Sequence, residues 1–287
     1  MQQLDIPAAD GTAIPLNWFE APRPNAALLI LPALGIQARL YDKLATGLAA
    51  QGHCSVCVME QRGHGRSGLR PGRKIRYGLD DILEQDMPAA MAWLAQRAQG
   101  LPLLLGGHSL GGHLSTLYAG QHPEQLAGVV HLACAFPYVG DYAAREAKLV
   151  RLLCRLMPFF SIVPGYYPGQ RMGFGGRESI TLMRQWCEWA STGSFDFGGR
   201  SDLAAGVAAF AGPVISLSFE RDSFATEAAI ERALSPFTHA RITRRKLGPE
   251  QQGEHLGHVG WARGPEGVVQ ALAQWLETEL PISGQGR

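Results

Sequence analysis

Apolar residues are distributed along this chain in two alternating patterns. Short uninterrupted runs, Ala26 to Leu31, Cys54 to Met59, Leu101 to Leu105, Ala127 to Ala135 and Pro213 to Phe219, read as strands buried on both faces. Between them lie longer stretches with helical spacing: Arg39 to Gln51, Leu79 to Gln99, Leu110 to Gln121, Thr226 to Leu234 and Pro265 to Glu279. In the third of these, Leu110, Leu114, Leu117 and Tyr118 form one stripe. Leu4 and Ile6, an Ala9-Asp10-Gly11-Thr12 turn and Ile14 to Phe19 predict an opening hairpin, and Ala240 to Leu247 a last strand. Strands alternating with helices imply an α/β fold, a mostly parallel central sheet flanked by helices. Ligand sites in such sheets lie beyond the carboxyl ends of the strands.

The alternation fails between residues 137 and 211. Leu149 to Met157 and Ile180 to Ala190 are helical in pattern. Pro158, the Pro164-Gly165-Tyr166-Tyr167-Pro168-Gly169 run and Gly173-Phe174-Gly175-Gly176 break the rhythm between them. The aromatic content argues for an ordered cap rather than a disordered excursion. The expected organisation is core over 1–136, helical cap insertion over 137–211, and core again over 212–287.

Composition adds mainly exclusions. The chain has 287 residues, with 26 basic against 25 acidic, so neither nucleic acid nor an anionic membrane is expected as a partner. Five scattered cysteines, an odd number, do not make a disulfide framework and fit a reducing compartment. Cys54-x-x-Cys57 lies within a strand-like run with no second pair to complete a zinc site, so its expected role is structural. Met1 to Asp5 lacks a basic segment followed by an apolar one, and no apolar stretch is long enough to span a bilayer. A soluble cytoplasmic protein without stable membrane insertion is expected.

The candidate chemistry begins at Gly107-His108-Ser109-Leu110-Gly111, a G-x-S-x-G pattern between a predicted strand and a predicted helix. That context defines a nucleophile elbow, where a sharp turn presents a serine at the top of the sheet. Side chains at 107 and 111 would collide with the neighbouring strand and helix, hence the glycines.

A serine hydroxyl is a weak nucleophile and needs a base, which in turn needs an orienting acid. The chain order Ser, acid, His points to the segment after Pro213 to Phe219, where Asp222 is preferred and Glu220 is the reserve. Among the nine histidines, His258 is preferred over His255; both sit in the loop between the last strand and last helix. His53, His122 and His131 read as ordinary surface or core residues, His108 and His113 as packing near the elbow. His64 lies upstream of Ser109, the wrong order for the base, and His239 precedes a strand. Charge developing on a substrate oxygen needs backbone donors, expected from Leu110 and from Leu34, with Ala33 next.

Gly-His-Ser-Leu-Gly-Gly at 107–112, Arg-Gly-His-Gly-Arg-Ser at 62–67 and the Asp222 and His258 positions resemble the α/β-hydrolase superfamily over nearly the whole chain. The chain is most similar to the monoglyceride-lipase and serine-aminopeptidase-like branch, and within it to bacterial predicted α/β hydrolases. Their Gly-Tyr-x-Pro-Gly, Trp-Cys and Gly-His-x-Gly segments match Gly165 to Gly169, Trp186-Cys187 and Gly257 to Gly260. It departs where Pro32-Ala33 replaces the common His-Gly pair and Glu60-Gln61 the usual Asp. The resemblance implies hydrolysis of an ester or related acyl bond with no cofactor and no metal. Ser109, Asp222 and His258 would be catalytic. The resemblance does not identify the substrate; the apolar cap, with Trp186, Trp189, Phe159, Phe160 and Tyr166, suggests a small one with an apolar acyl or alcohol group. Amidase, thioesterase and C–C bond hydrolase activities, and a ligand-binding homologue without turnover, stay open.

Overall fold

The computed structural model describes residues 1–52 and 54–280; His53 and residues 281–287 lie outside it. Eight strands form one sheet in the order β1-β2-β4-β3-β5-β6-β9-β10. The hairpin β1 (Gln2–Pro7) and β2 (Ala13–Phe19) is antiparallel, and β2 runs antiparallel to β4 (Cys54–Met59). The rest is parallel: β3 (Ala26–Leu31), β5 (Leu103–His108), β6 (Gly128–Leu132), β9 (Pro213–Phe219) and β10 (Arg241–Leu247).

Strand periodicity sends alternate residues to opposite faces. On β3, Ala27, Leu29 and Leu31 pack with Met91, Leu94, Leu114 and Leu117. Leu28 and Ile30 pack on the other side with Leu44, Leu48, Leu272 and Leu276. The helices Met87–Ala98 and Leu110–Gln121 thus cover one face, and Asp42–Ala50 and Glu266–Glu279 the other. The same alternation separates Cys54 and Cys57, which enter different cores. Two sulfurs on opposite sides of a sheet cannot share one ion.

Two expectations are corrected. β5 begins and ends later than the apolar run suggests, continuing through Gly106 and Gly107 to His108. Glycine weakens a strand signal, yet here it is required by close packing: a Cβ on Gly106 would lie 2.7 Å from that of Val130. The second concerns Pro158, which sits inside a helix running from Ala144 to Ile162 rather than ending one. The buried stripe Val150, Leu153, Met157 and Phe160 continues past it at helical spacing, and that packing outweighs the lost backbone bond.

The segment between Phe136 and Pro213 adds no strand to the large sheet. It contributes that helix, a two-residue pairing of β7 (Tyr167–Pro168) with β8 (Arg177–Glu178), and the helix Ile180–Thr192. Trp189, fully buried, ties it to the core through an edge contact with His113. No helix among the described residues is long and apolar enough to cross a membrane.

Candidate active site

Ser109 occupies the single residue between β5 and the helix Leu110–Gln121, with φ 51° and ψ −111°. A non-glycine residue rarely adopts that conformation, and it is held here by tight packing on both sides. A Cβ on Gly107 would lie 2.2 Å from the Gly111 carbonyl carbon, and one on Gly111 would lie 2.3 Å from the Leu31 oxygen. The Ser109 N–H donates to Leu132 O at 3.0 Å, which pins the turn to β6.

The turn after β9 presents Asp222. Its Oδ1 accepts the Phe224 N–H at 3.0 Å, and its Oδ2 lies 2.8 Å from Nδ1 of His258. The Asp222 side chain is fully buried, whereas the His258 side chain keeps 24% exposure. An ionised carboxylate only accepts, so Nδ1 carries the proton and the Nε2 lone pair is left for another partner. Ser109 and His258 line one cavity of about 340 Å³; no hydrogen bond joins them directly.

His255 and Glu220 do not join this group. His255 is exposed and packs beside Gly264, and Glu220, also exposed, lies against Gly248.

His108 lies beneath the site, its ring 5.1 Å from that of His258 and 5.3 Å from that of Trp261. Burial, together with the nearby His258, holds it well below its ordinary pKa, so it is neutral. Its Nδ1 is 2.8 Å from the Tyr41 hydroxyl, which burial keeps protonated and which itself accepts the Ala33 N–H at 3.0 Å. This relay commits the Ala33 amide. Among the described residues the Leu34 amide has no such partner, and Leu34 lines the cavity. Leu110 opens its helix, so its N–H is one of the orphan donors of a helix start.

The cavity walls are apolar in the main, with Leu34, Ile36, Val150, Phe174, Trp186 and Phe224 among them. No Asp, Glu, Lys or Arg lines it among the described residues.

One pair was not foreseen from the sequence. His64, set aside for its place in the chain, meets Glu178 from the far segment at 3.1 Å, both buried. Burial would lower the His64 pKa, but the charge and hydrogen bond of Glu178, with the Arg62 carbonyl and Glu60, outweigh it and raise it. The Arg-Gly-His-Gly-Arg-Ser run marked the loop. Nothing local to residue 178 marked its partner.

Fold and site together define an α/β hydrolase. The family model for serine aminopeptidase S33 (Hydrolase_4) matches residues 22–178, more than half the chain, and the chain belongs to that family. Asp222 and His258 fall outside the matched span. Among relatives, a protein of Mycobacterium phage D29 named "Putative non-heme haloperoxidase" is 27% identical over 47% of this chain and 44% of its own length. A pimeloyl-[acyl-carrier protein] methyl ester esterase of Klebsiella pneumoniae (strain 342) is 28% identical over 40% of this chain and 39% of its own. This chain therefore spans less than half the length of either. A thermostable carboxyl esterase from Bacillus coagulans superposes with a TM-score of 0.70 at 12% identity, covering 97% of this chain and 98% of that one, a likeness of fold.

Proposed function

We propose that the protein is a serine hydrolase that cleaves a small uncharged ester through Ser109, His258 and Asp222. The observation that carries the reading is the 2.8 Å contact of His258 Nδ1 with Asp222, at a cavity shared with the strained Ser109. In this mechanism Nε2 of His258 takes the Ser109 proton as Oγ attacks the carbonyl carbon. Asp222 holds the ring in one tautomer and stabilises it when charged. The amides of Leu34 and Leu110 receive the negative oxygen, Ala33 being committed to Tyr41. The intermediate collapses to an acyl-enzyme as His258 returns the proton to the leaving alcohol. Water, activated by the same imidazole, then releases the acid.

The cavity favours an uncharged substrate over a peptide with a free amino terminus. An ammonium group taken out of water needs a buried counter-charge, and no acidic side chain lines the walls among the described residues. Its volume, near the lower end for small-molecule sites, suits a short or medium apolar acyl group. The segment over 137–211 acts in this reading as the cap that closes the cavity, since Val150, Gly169, Phe174 and Trp186 come from it.

The test is a series of p-nitrophenyl esters graded by acyl length, with Ser109→Ala as the blank, together with fluorophosphonate labelling. The parent is expected to turn over and to label at Ser109. The alanine variant should lose roughly 10³- to 10⁶-fold in kcat while staying folded. Near-parental turnover by that variant would remove Ser109 from the chemistry. An unreactive parent would favour a ligand-binding homologue.

A further inference from the structure

Two glycine-bearing loops touch where the 137–211 segment crosses the strand ends. A Cβ on Gly35 would lie 2.1 Å from Gly176 N and 2.4 Å from the Gly175 carbonyl carbon. One on Gly175 would reach 3.4 Å from Leu34 Cδ2. Backbone therefore rests on backbone, and residues 175–176 lie directly on the loop that carries the Leu34 amide.

A buried pair holds that segment down. Glu178 is fully buried, and its Oε1 accepts the Gly176 N–H at 2.7 Å. The same oxygen lies 3.1 Å from Nε2 of His64, whose Nδ1 is 3.0 Å from the Arg62 carbonyl oxygen. A carbonyl can only accept, so Nδ1 carries a proton. The contact between Nε2 and a carboxyl oxygen then requires a second proton, on the ring or on the acid. Either way the pair is neutral overall, which is how two such groups tolerate full burial. The Glu178 Oε2 atom has no partner among the described residues, so Oε1 makes both of this side chain's bonds. On either side, Arg177 Nε donates to the Pro71 carbonyl at 2.8 Å and Ser179 Oγ accepts the Tyr77 N–H at 3.0 Å.

The loop beneath His64 is itself braced. Tyr77 donates its hydroxyl to the Arg62 carbonyl at 2.7 Å. Buried Glu60 accepts the Ala38 N–H at 2.9 Å and the Arg66 N–H at 3.3 Å, joining this loop to the stretch just after residues 33–35. Glu178 thus docks onto a rigid platform, and neither member of the pair lines the cavity.

We propose that His64 and Glu178 are positioning residues, a buried clasp that seats residues 173–178 on the 33–35 loop and thereby fixes the Leu34 amide for the developing oxyanion. This rests on the serine-hydrolase reading and adds the element that holds one of its donors in place. An oxyanion donor contributes through being aimed in advance, so a displacement well under an ångström weakens it in the transition state more than in substrate binding.

The experiment compares Glu178→Ala, His64→Ala, the double variant and Glu178→Gln in the full chain. Turnover is expressed per fluorophosphonate-titrated serine, so that misfolded protein does not count. Both single alanine variants are expected to lower kcat about 10- to 100-fold with KM within threefold, and the double variant to lose little more than the worse single. In Glu178→Gln the side-chain oxygen at the Oε1 position can still accept the Gly176 N–H. It meets His64 only if the ring carries its proton on Nε2 and gives up the bond to the Arg62 carbonyl, so kcat should recover only in part, to about three- to tenfold below the parent. Should Glu178→Ala yield no folded protein, His64→Ala decides alone. Parental kcat per titrated serine in the alanine variants overturns the clasp and leaves the hydrolase reading intact. A parent that neither turns over nor labels overturns both.

Discussion

The elbow and the 169–178 segment both crowd glycines into a tight space, but for different reasons. At the elbow, Gly107 and Gly111 exclude side chains because each faces backbone four residues away or on the adjacent strand. The Gly107 clash lies within the turn and the Gly111 clash against β3, the strand paired with the turn's own β5, and the five-residue pattern between a strand and a helix records both. At Gly175 and Gly176 the crowding comes from residues 34, 35 and 64, more than a hundred positions upstream, together with the Glu178 side chain that those residues hold in place. The lesson is that a glycine pattern betrays a site when its steric reason is local, and reads as a mere break when the reason is tertiary.

Substitution of the two kinds of glycine tests this contrast. Gly111→Ala sets a Cβ 2.3 Å from the Leu31 backbone oxygen, which cannot move without disturbing the sheet. It is expected to cost about 3 kcal/mol or more and to abolish fluorophosphonate labelling, as read by urea unfolding and by the label. Gly176→Ala meets mainly side-chain atoms, His64 Nε2 at 2.9 Å and Glu178 Oε1 at 3.1 Å, with Gly35 Cα also at 3.1 Å. Those chains can shift, so about 1 kcal/mol is expected, with the loss falling on kcat. Equal damage at both positions would break the distinction.

Acid sharpens the comparison, because it should loosen the core side first. Burial pushes His131 down to about 4, and burial with the nearby His131 pushes His113 down to about 3. An unfolded imidazole titrates near 6.5, so below that pH the unfolded chain binds protons the folded chain refuses. Stability should therefore fall as pH drops from about 6.5 towards 4, by up to about 1.4 kcal/mol per pH unit for each ring. Urea midpoints across that range would show the slope, and His131→Gln should make it shallower by one ring's share, with His113 and His108 left to carry the rest. A profile unchanged by the substitution would mean that this ring does not report on the core.

The smallest effect is expected on the outer side of the helix Ala144–Ile162. Leu152 is 52% exposed there, while Leu153 beside it is buried. Leu152→Ser should move stability by no more than about 0.5 kcal/mol, and Leu153→Ala by about 2 to 5 kcal/mol, both measurable by thermal unfolding. A large loss at Leu152 would mean that this face is covered.

Legibility followed range. Most strands were readable because uninterrupted apolar runs have few other uses, and β3, β4 and β9 fall on the expected residues. β5 was displaced because glycine weakened its signal where close packing demanded it. The Pro158 helix was truncated because a local breaker was read without the packing that overrides it. Asp222 and His258 could be ranked from chain order, flanking glycines and the family resemblance, and the structure brings these two within hydrogen-bond reach.

Sequence alone determined the alternating layers, the elbow at Ser109 and the short set of candidates for its partners, because these rest on periodicity, on a five-residue motif and on the order of residues along the chain. Only the tertiary structure decided which amide of the 33–35 loop is free, since that depends on a relay from Ala33 through Tyr41 to His108. It likewise paired His64 with Glu178. Hydrogen bonds over such separations depend on how loops meet in space, and that is set by the packing of the whole sheet.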